Sequence, residues 1–267
     1  MSLRAFARAF VALLRAGALE SLAYRGEMLV WALTTTMPLI MYAFLGAVAR
    51  EKPLGRFDEE HLLAYFLATF IVRQLTSSWA SWQINAEVRD GTLSARLLRP
   101  IHPLFAYAAE SLAIIPLRLV LALPVAVLLL ALAGPRALTH DPAIWALWTT
   151  SMLGGWLLSS FVSYAVGALA FFLESSAKLM DFWLAGFFVF SGYLVPIELF
   201  PPWMRAVIDD LPFRYQLGLP VELMTGAHGR AEALFLVAKQ WGFVALAGAV
   251  AAAVWRRGLA RFAAFGG

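Results

Sequence analysis

The residues with most chemical potential stand in two places: inside an apolar run, and in the polar stretch that follows it. Residues 61–82 hold Arg73, Gln74, Ser77, Ser78 and Ser81 among large apolar side chains. Arg73, Ser77 and Ser81 recur every four residues, so an unbroken helix would carry them on one face. An arginine at mid-bilayer depth costs about +2.5 to +3.5 kcal/mol on the insertion scale. About eight large apolar neighbours return about −0.3 to −0.6 kcal/mol each. The two terms nearly cancel, so this face must lie against other helices or a wet cavity. Its chemistry is binding or pairing. Arg73 either touches a passing ligand or pairs internally with a carbonyl or an acid such as Glu110. Arg118, beside Pro116 in the next run, has the same two readings: ligand contact, or snorkelling and sealing of the proline kink.

The polar stretch runs from Gln83 to Pro103. Glu87, Val88 and Arg89 end one helix at Asp90-Gly91, a turn signal. Thr92 is placed to N-cap a second, short helix. Leu93, Leu97 and Leu98 would form its apolar face, Arg96 and Arg99 flank it, and Pro100 and Pro103 stop it. Such a helix could seat in a groove of a soluble partner, or it could simply close the bundle.

Other chemistries are missing. No GxxxxGK[ST] loop and no HExxH occur, and His61, His102, His140 and His228 lie on separate segments. With no cysteine, thiol chemistry and cysteine metal sites are excluded. No Ser-His-Asp set or carboxylate pair falls at membrane depth, and no chain of acids suggests a proton relay. The expectation is a protein without a catalytic residue, metal or cofactor of its own.

The elements that position these residues follow from composition. Of the 267 residues, 61% are hydrophobic and 14% charged, against about 45–50% and about 25% in soluble domains. Mean hydropathy is +0.74. The fold expected is an all-α integral membrane protein with six transmembrane helices, near 28–49, 61–82, 105–133, 143–173, 182–197 and 233–255. The fifth is short, about 24 Å of helix. Ser151, Gly155, Ser159, Ser163 and Gly167 recur every four residues in the fourth and read as a close-packing face. Residues 1–27 read as an N-terminal amphipathic helix lying in the membrane interface, with Leu3, Phe6, Phe10, Leu13 and Leu14 opposite Arg4, Arg8 and Arg15. No cleavable signal peptide is evident. The balance of Arg and Lys puts both termini in the cytoplasm, in a multi-pass protein of a bacterial plasma membrane. After the fifth run, Pro196, Pro201, Pro202 and Pro212 break the chain into two pieces too short to span. They read as re-entrant helices dipping in from the outer side, or as a loop lying flat on the bilayer.

Glu87-Val88-Arg89-Asp90-Gly91-Thr92-Leu93 with Leu97-Leu98-Arg99-Pro100 resembles the signature between the second and third spans of type-2 ATP-binding-cassette (ABC) exporter permeases. Ser191-Gly192-Tyr193-Leu194-Val195-Pro196 and Leu199-Phe200-Pro201-Pro202-Trp203 resemble the family's entry into its outer re-entrant helices, and Trp255-Arg256-Arg257-Gly258-Leu259 its closing segment. The finer match is to a little-characterised branch of permeases. The resemblance implies a permease subunit that pairs with a second permease, identical or paralogous, above two cytoplasmic ATPase subunits that bind ATP and Mg. It implies that Glu87, Arg89, Asp90, Gly91, Thr92, Leu93, Leu97, Leu98, Arg99 and Pro100 couple to those subunits, and that spans two and five face the dimer partner. Arg73, Gln74, Arg118, Phe190 and Tyr193 then become pathway or gate candidates. Membrane lipids are expected partners and nucleic acid is not. A membrane scaffold and an intramembrane enzyme are the alternative functions.

Overall fold

A computed structural model describes residues 3–23, 26, 36–133, 138–174 and 176–265. These residues form helices and connecting turns without a named strand; one isolated bridge pairs Leu54 with Phe57. Thirteen α-helices are numbered here in chain order: α1 (Leu3–Ala23), α2 (Met37–Glu51), α3 (Glu59–Thr76), α4 (Ala80–Arg89), α5 (Leu93–Leu97), α6 (Pro103–Ala113), α7 (Ile115–Ala133), α8 (Pro142–Ala168), α9 (Ala177–Phe190), α10 (Pro202–Asp209), α11 (Pro212–Gln216), α12 (Gly218–Met224) and α13 (Arg230–Phe265). Three helical stretches among the described residues are long and apolar enough to cross a membrane: Pro103–Val120, Pro142–Phe171 and Arg230–Phe262.

The expected spans and the observed helices differ where the backbone breaks. The expected run 61–82 is two helices, because Ser77 is extended (ψ 139°) and α3 ends at Thr76. Helix α4 starts three residues later. Arg73, Ser77 and Ser81 therefore do not lie on one helical face. The run 105–133 is jointed at Ile114, next to Pro116, and Pro124 is accommodated inside α7. The fifth run shifts toward the N-terminus: α9 ends at Phe190, and Gly192 then takes a positive φ of 84° that a side chain would resist. Its 14 residues reach about 21 Å, short of a bilayer core of about 30 Å. Of the first run, 28–35 lie outside the described residues.

Helices α3 and α8 occupy the middle of the bundle. Leu62, Phe66, Ala68 and Val72 of α3 are buried with Tyr193, Leu217 and Val221. The opposite side of α8 packs Leu158 and Val162 on Tyr215, Leu219, Val237 and Val244. A third cluster joins Ile84, Leu93 and Tyr107 to Tyr164 and Trp255. The small-residue stripe of α8 sets these approaches. A Cβ placed at Gly155 would lie 2.9 Å from the Gln216 carbonyl oxygen, and one at Gly167 would lie 2.9 Å from Ile84 Cβ and 3.1 Å from Ser81 Cα. Ser163 Oγ donates to the Ser78 carbonyl at 3.3 Å, inside the break of the second run.

Helix α1 runs beside α6, its Phe6 edge-on to Phe105 with ring centroids 5.2 Å apart. Arg4, Arg8 and Arg15 stay exposed. Between α9 and α13 the chain makes short helices, and all seven residues of α12 are buried. Helix α10 does not bury the whole apolar face expected of it. Ile208 is buried, whereas Trp203 and Val207 are exposed.

The Gly167 contact yields a direct check. Gly167→Ala should cost about 1–3 kcal/mol of stability by overpacking. Gly242→Ala in α13, where an added Cβ meets nothing within 4 Å, should be neutral or stabilising by about 0.5–1 kcal/mol. Thermal unfolding of the detergent-purified protein reads the difference, and equal shifts would refute the close approach of α4 and α8.

Candidate functional site

The stretch 83–103 folds as a helical hairpin pinned by ion pairs. Gly91 makes its turn at φ +73°. Thr92 sits at the start of α5 without a side-chain cap; Ser94 Oγ donates instead to the Gly91 carbonyl at 2.7 Å. Glu87, at the end of α4, accepts two bonds from Arg96, at 2.9 and 2.6 Å. Arg96 Nη1 reaches on to Glu110 of α6 at 2.7 Å. Tyr107 donates to Glu87 at 2.5 Å and lies under the Arg96 guanidinium, 4.4 Å from the ring centroid. Gln83 donates to the second oxygen of Glu110 at 2.7 Å. Burial works against the charge on Arg96, and the carboxylates of Glu110 and Glu87 more than offset it, so its pKa is raised.

This network corrects two expectations. Glu110 pairs with Arg96 and Gln83, not with Arg73. The apolar residues of α5 do not share one outward face. Leu93 is fully buried and Leu97 packs beside it on the bundle, while Leu98 is 88% exposed. The outward surface includes Arg89, Asp90, Gly91, Thr92, Ser94, Ala95, Leu98, Arg99 and Pro100; Glu87 belongs to the clamp beneath it. Sequence spacing did not reveal Arg96, Tyr107 and Gln83 as clamp residues, because their partners come from three helices. An arginine inside a short leucine-bearing helix was the available signal.

Most of the pathway and gate candidates gather. The Arg73 guanidinium lies over the Phe187 ring at 4.7 Å and nearer the edge of the same range from Tyr193, at 5.9 Å. Arg118 donates to Ser77 Oγ at 2.7 Å, tying α7 to the break. Gln74 is buried. Phe190 is turned elsewhere, toward Phe213 at 6.1 Å. Beside Arg73 opens a small cavity of about 30 Å³, walled by Ser78, Trp79, Trp82, Ser159, Ser163, Met180, Trp183, Leu184, Phe187 and Gln216. Among the described residues, no group of three or more metal-ligating side chains occurs.

A family model described as ABC-2 family transporter protein matches residues 31–266, nearly the whole chain and all of the elements above except α1. The chain belongs to that family. No curated protein and no solved structure matches it. Membership makes it a membrane subunit of a transporter rather than an ATPase, in keeping with its apolar helices.

The end of this ABC-2 protein opposite the hairpin carries a second charged network. Glu222, on buried α12, accepts from Arg214 at 2.7 Å and meets His228 at 2.9 Å. His228 also faces Glu232 at 3.0 Å. Arg214 reaches Asp209 as well. Burial opposes the charge on His228, but Glu222 and Glu232 outweigh it and its pKa is raised above 6.5. A raised histidine contributes its stability fully below its unfolded pKa and loses it as pH rises through the folded value. The thermal midpoint of the wild type should therefore fall as pH climbs from about 6.5 into the alkaline range. His228→Gln should flatten that slope, and an unchanged slope would remove His228 from the network's energetics.

Proposed function

We propose that this chain is the permease subunit of an ABC exporter, driven by separate cytoplasmic ATPase subunits. The proposed topology has six spans with both termini in the cytoplasm, the N-terminal helix at the interface and α10–α12 as the outer re-entrant segment. Two permeases, identical or paralogous, would enclose the pathway, with α3 and α9 facing the partner. The observation that carries this reading, beyond family membership, is the clamped hairpin. A docking element must transmit force, so it needs an outward contact surface and a stiff attachment to the moving helices. Arg89–Thr92 and Leu98–Pro100 form the first, and the Glu87–Arg96–Glu110 ion pairs form the second.

In the proposed cycle, ATP binding with Mg closes the ATPase pair. The ATPase pushes on the tip of the hairpin, and the clamp passes the displacement to α6. Coupling of this kind requires an element with two arrangements that both sites bias. The joint at Ile114, between α6 and α7, is suited to be that element.

The test is a mild-detergent pulldown of the tagged chain from its native membranes, with ATP hydrolysis assayed. An ATPase in stoichiometric amount is expected. Leu98→Asp with Arg99→Glu should lower its recovery about tenfold, as loss of a central apolar contact and a charge reversal each cost about 1 kcal/mol or more. Arg96→Ala should leave the ATPase bound but weaken the response of hydrolysis to transported compound. Recovery of the chain alone, with no ATPase activity, would turn the reading toward a membrane scaffold.

A further inference from the structure

The break between α3 and α4 does more than interrupt a span. Three features converge on the cavity at its side. The first is Arg73, whose guanidinium has aromatic faces as neighbours and no carboxylate partner among the described residues. The second is Ser78, 9% exposed, which lines the same cavity and whose hydroxyl has no hydrogen-bond partner among the described residues. The third is the N-terminus of the ten-residue α4, which no side chain caps. The positive end of its dipole begins at Ala80, next to Trp79 of the cavity wall. All three favour negative charge, and among the described residues no acidic side chain lines the cavity.

An uncompensated cation at membrane depth raises the insertion cost unless something neutral or anionic offsets it. Broken helices in membrane transporters place half-helix N-termini toward anionic groups for the same electrostatic reason. The cavity, about 30 Å³, admits a small head group and not a body. The body would have to rest outside it, along Trp79, Trp82 and Trp183.

We propose that this is a binding site for the anionic head of an amphipathic compound, a carboxylate, sulfonate or phosphate on an apolar or aromatic body. Arg73 and the Ser78 hydroxyl donate to the head, the α4 N-terminus adds its dipole, and the indoles hold the body. Taken as the transported substrate, the ligand deepens the permease reading and rests on it; the binding itself does not. A free amphiphile and an anionic lipid present the same head chemistry.

The test uses the transporter purified with its co-purifying subunits, in phosphatidylcholine nanodiscs. Three dansyl amphiphiles share one alkyl body and end in a carboxylate, a neutral amide or a trimethylammonium group. Fluorescence anisotropy reads their affinities. The carboxylate should bind about tenfold or more tightly than the amide, the size expected of a charge-assisted hydrogen bond. Arg73→Gln should erase that preference, Arg73→Lys should retain part of it, and Ser78→Ala should weaken carboxylate binding about threefold. If Arg73→Gln is not monodisperse, Ser78→Asp takes its place and should reject the carboxylate while keeping the amide. Equal affinities for carboxylate and amide, or a preference that survives Arg73→Gln or Ser78→Asp, would overturn the site. Phosphatidylglycerol added to the nanodisc distinguishes the sources: displacement of the carboxylate in the wild type points to a lipid head, and no displacement to a free amphiphile. An ATPase recovered without any charge preference would sink the anion site alone. A charge preference without an ATPase would sink the permease reading and leave the site standing.

Discussion

The interruption between α3 and α4 at Ser77–Trp79 is the constraint on which the rest of the bundle depends. A helix break inside a packed bundle releases backbone groups that must find partners within the protein. The enclosure is visible in its neighbours. Ser163 of α8 donates to the Ser78 carbonyl, Arg118 of α7 donates to Ser77, and the glycines of α8 bring backbones close enough to exclude lipid. Each interhelical hydrogen bond of this kind is worth only about 0.6–1.7 kcal/mol. The break is held by several of them together with close packing, not by any single contact.

Packing at the opposite end follows a related rule. Helix α12 carries Glu222 into the interior, where its side chain is 4% exposed. A lone buried carboxylate would be strongly unfavourable. Arg214 and His228 offset it, and Gln240 of α13 donates to the carbonyls of Ser151 and Tyr215 nearby. The short helices there gain a polar contact from α13 beside their apolar burial.

Much of the architecture was legible in the residues. Apolar run length located the long helices α8 and α13, the prolines located the short helices between α9 and α13, and the four-residue recurrence from Ser151 to Gly167 named the packing face of α8. The Asp90-Gly91 signal placed the hairpin turn. What was not legible has a common cause. A helix break without Gly or Pro, as at Ser77–Trp79, leaves no local mark, because it is stabilised by Ser163 and Arg118 from elsewhere in the chain. The inward turn of Glu87 was hidden for the same reason. Its partner Arg96 lies nine residues away across a turn, and Glu110 comes from another helix. Leu98 looked equivalent to Leu93 and Leu97 by type, but the end of a five-residue helix sends it outward.

The bond between Arg118 and Ser77 joins features that otherwise look separate. Arg118 sits one turn beyond the Ile114 joint, and Ser77 opens the broken segment beside the Arg73 cavity. The clamp ties the hairpin to α6, and α7 is the next link after the joint. A swing of that arm would therefore pull on the rim of the cavity through Arg118. In the proposed cycle the cavity's shape would follow the hairpin's position, and an occupant that props the cavity open would resist the same swing.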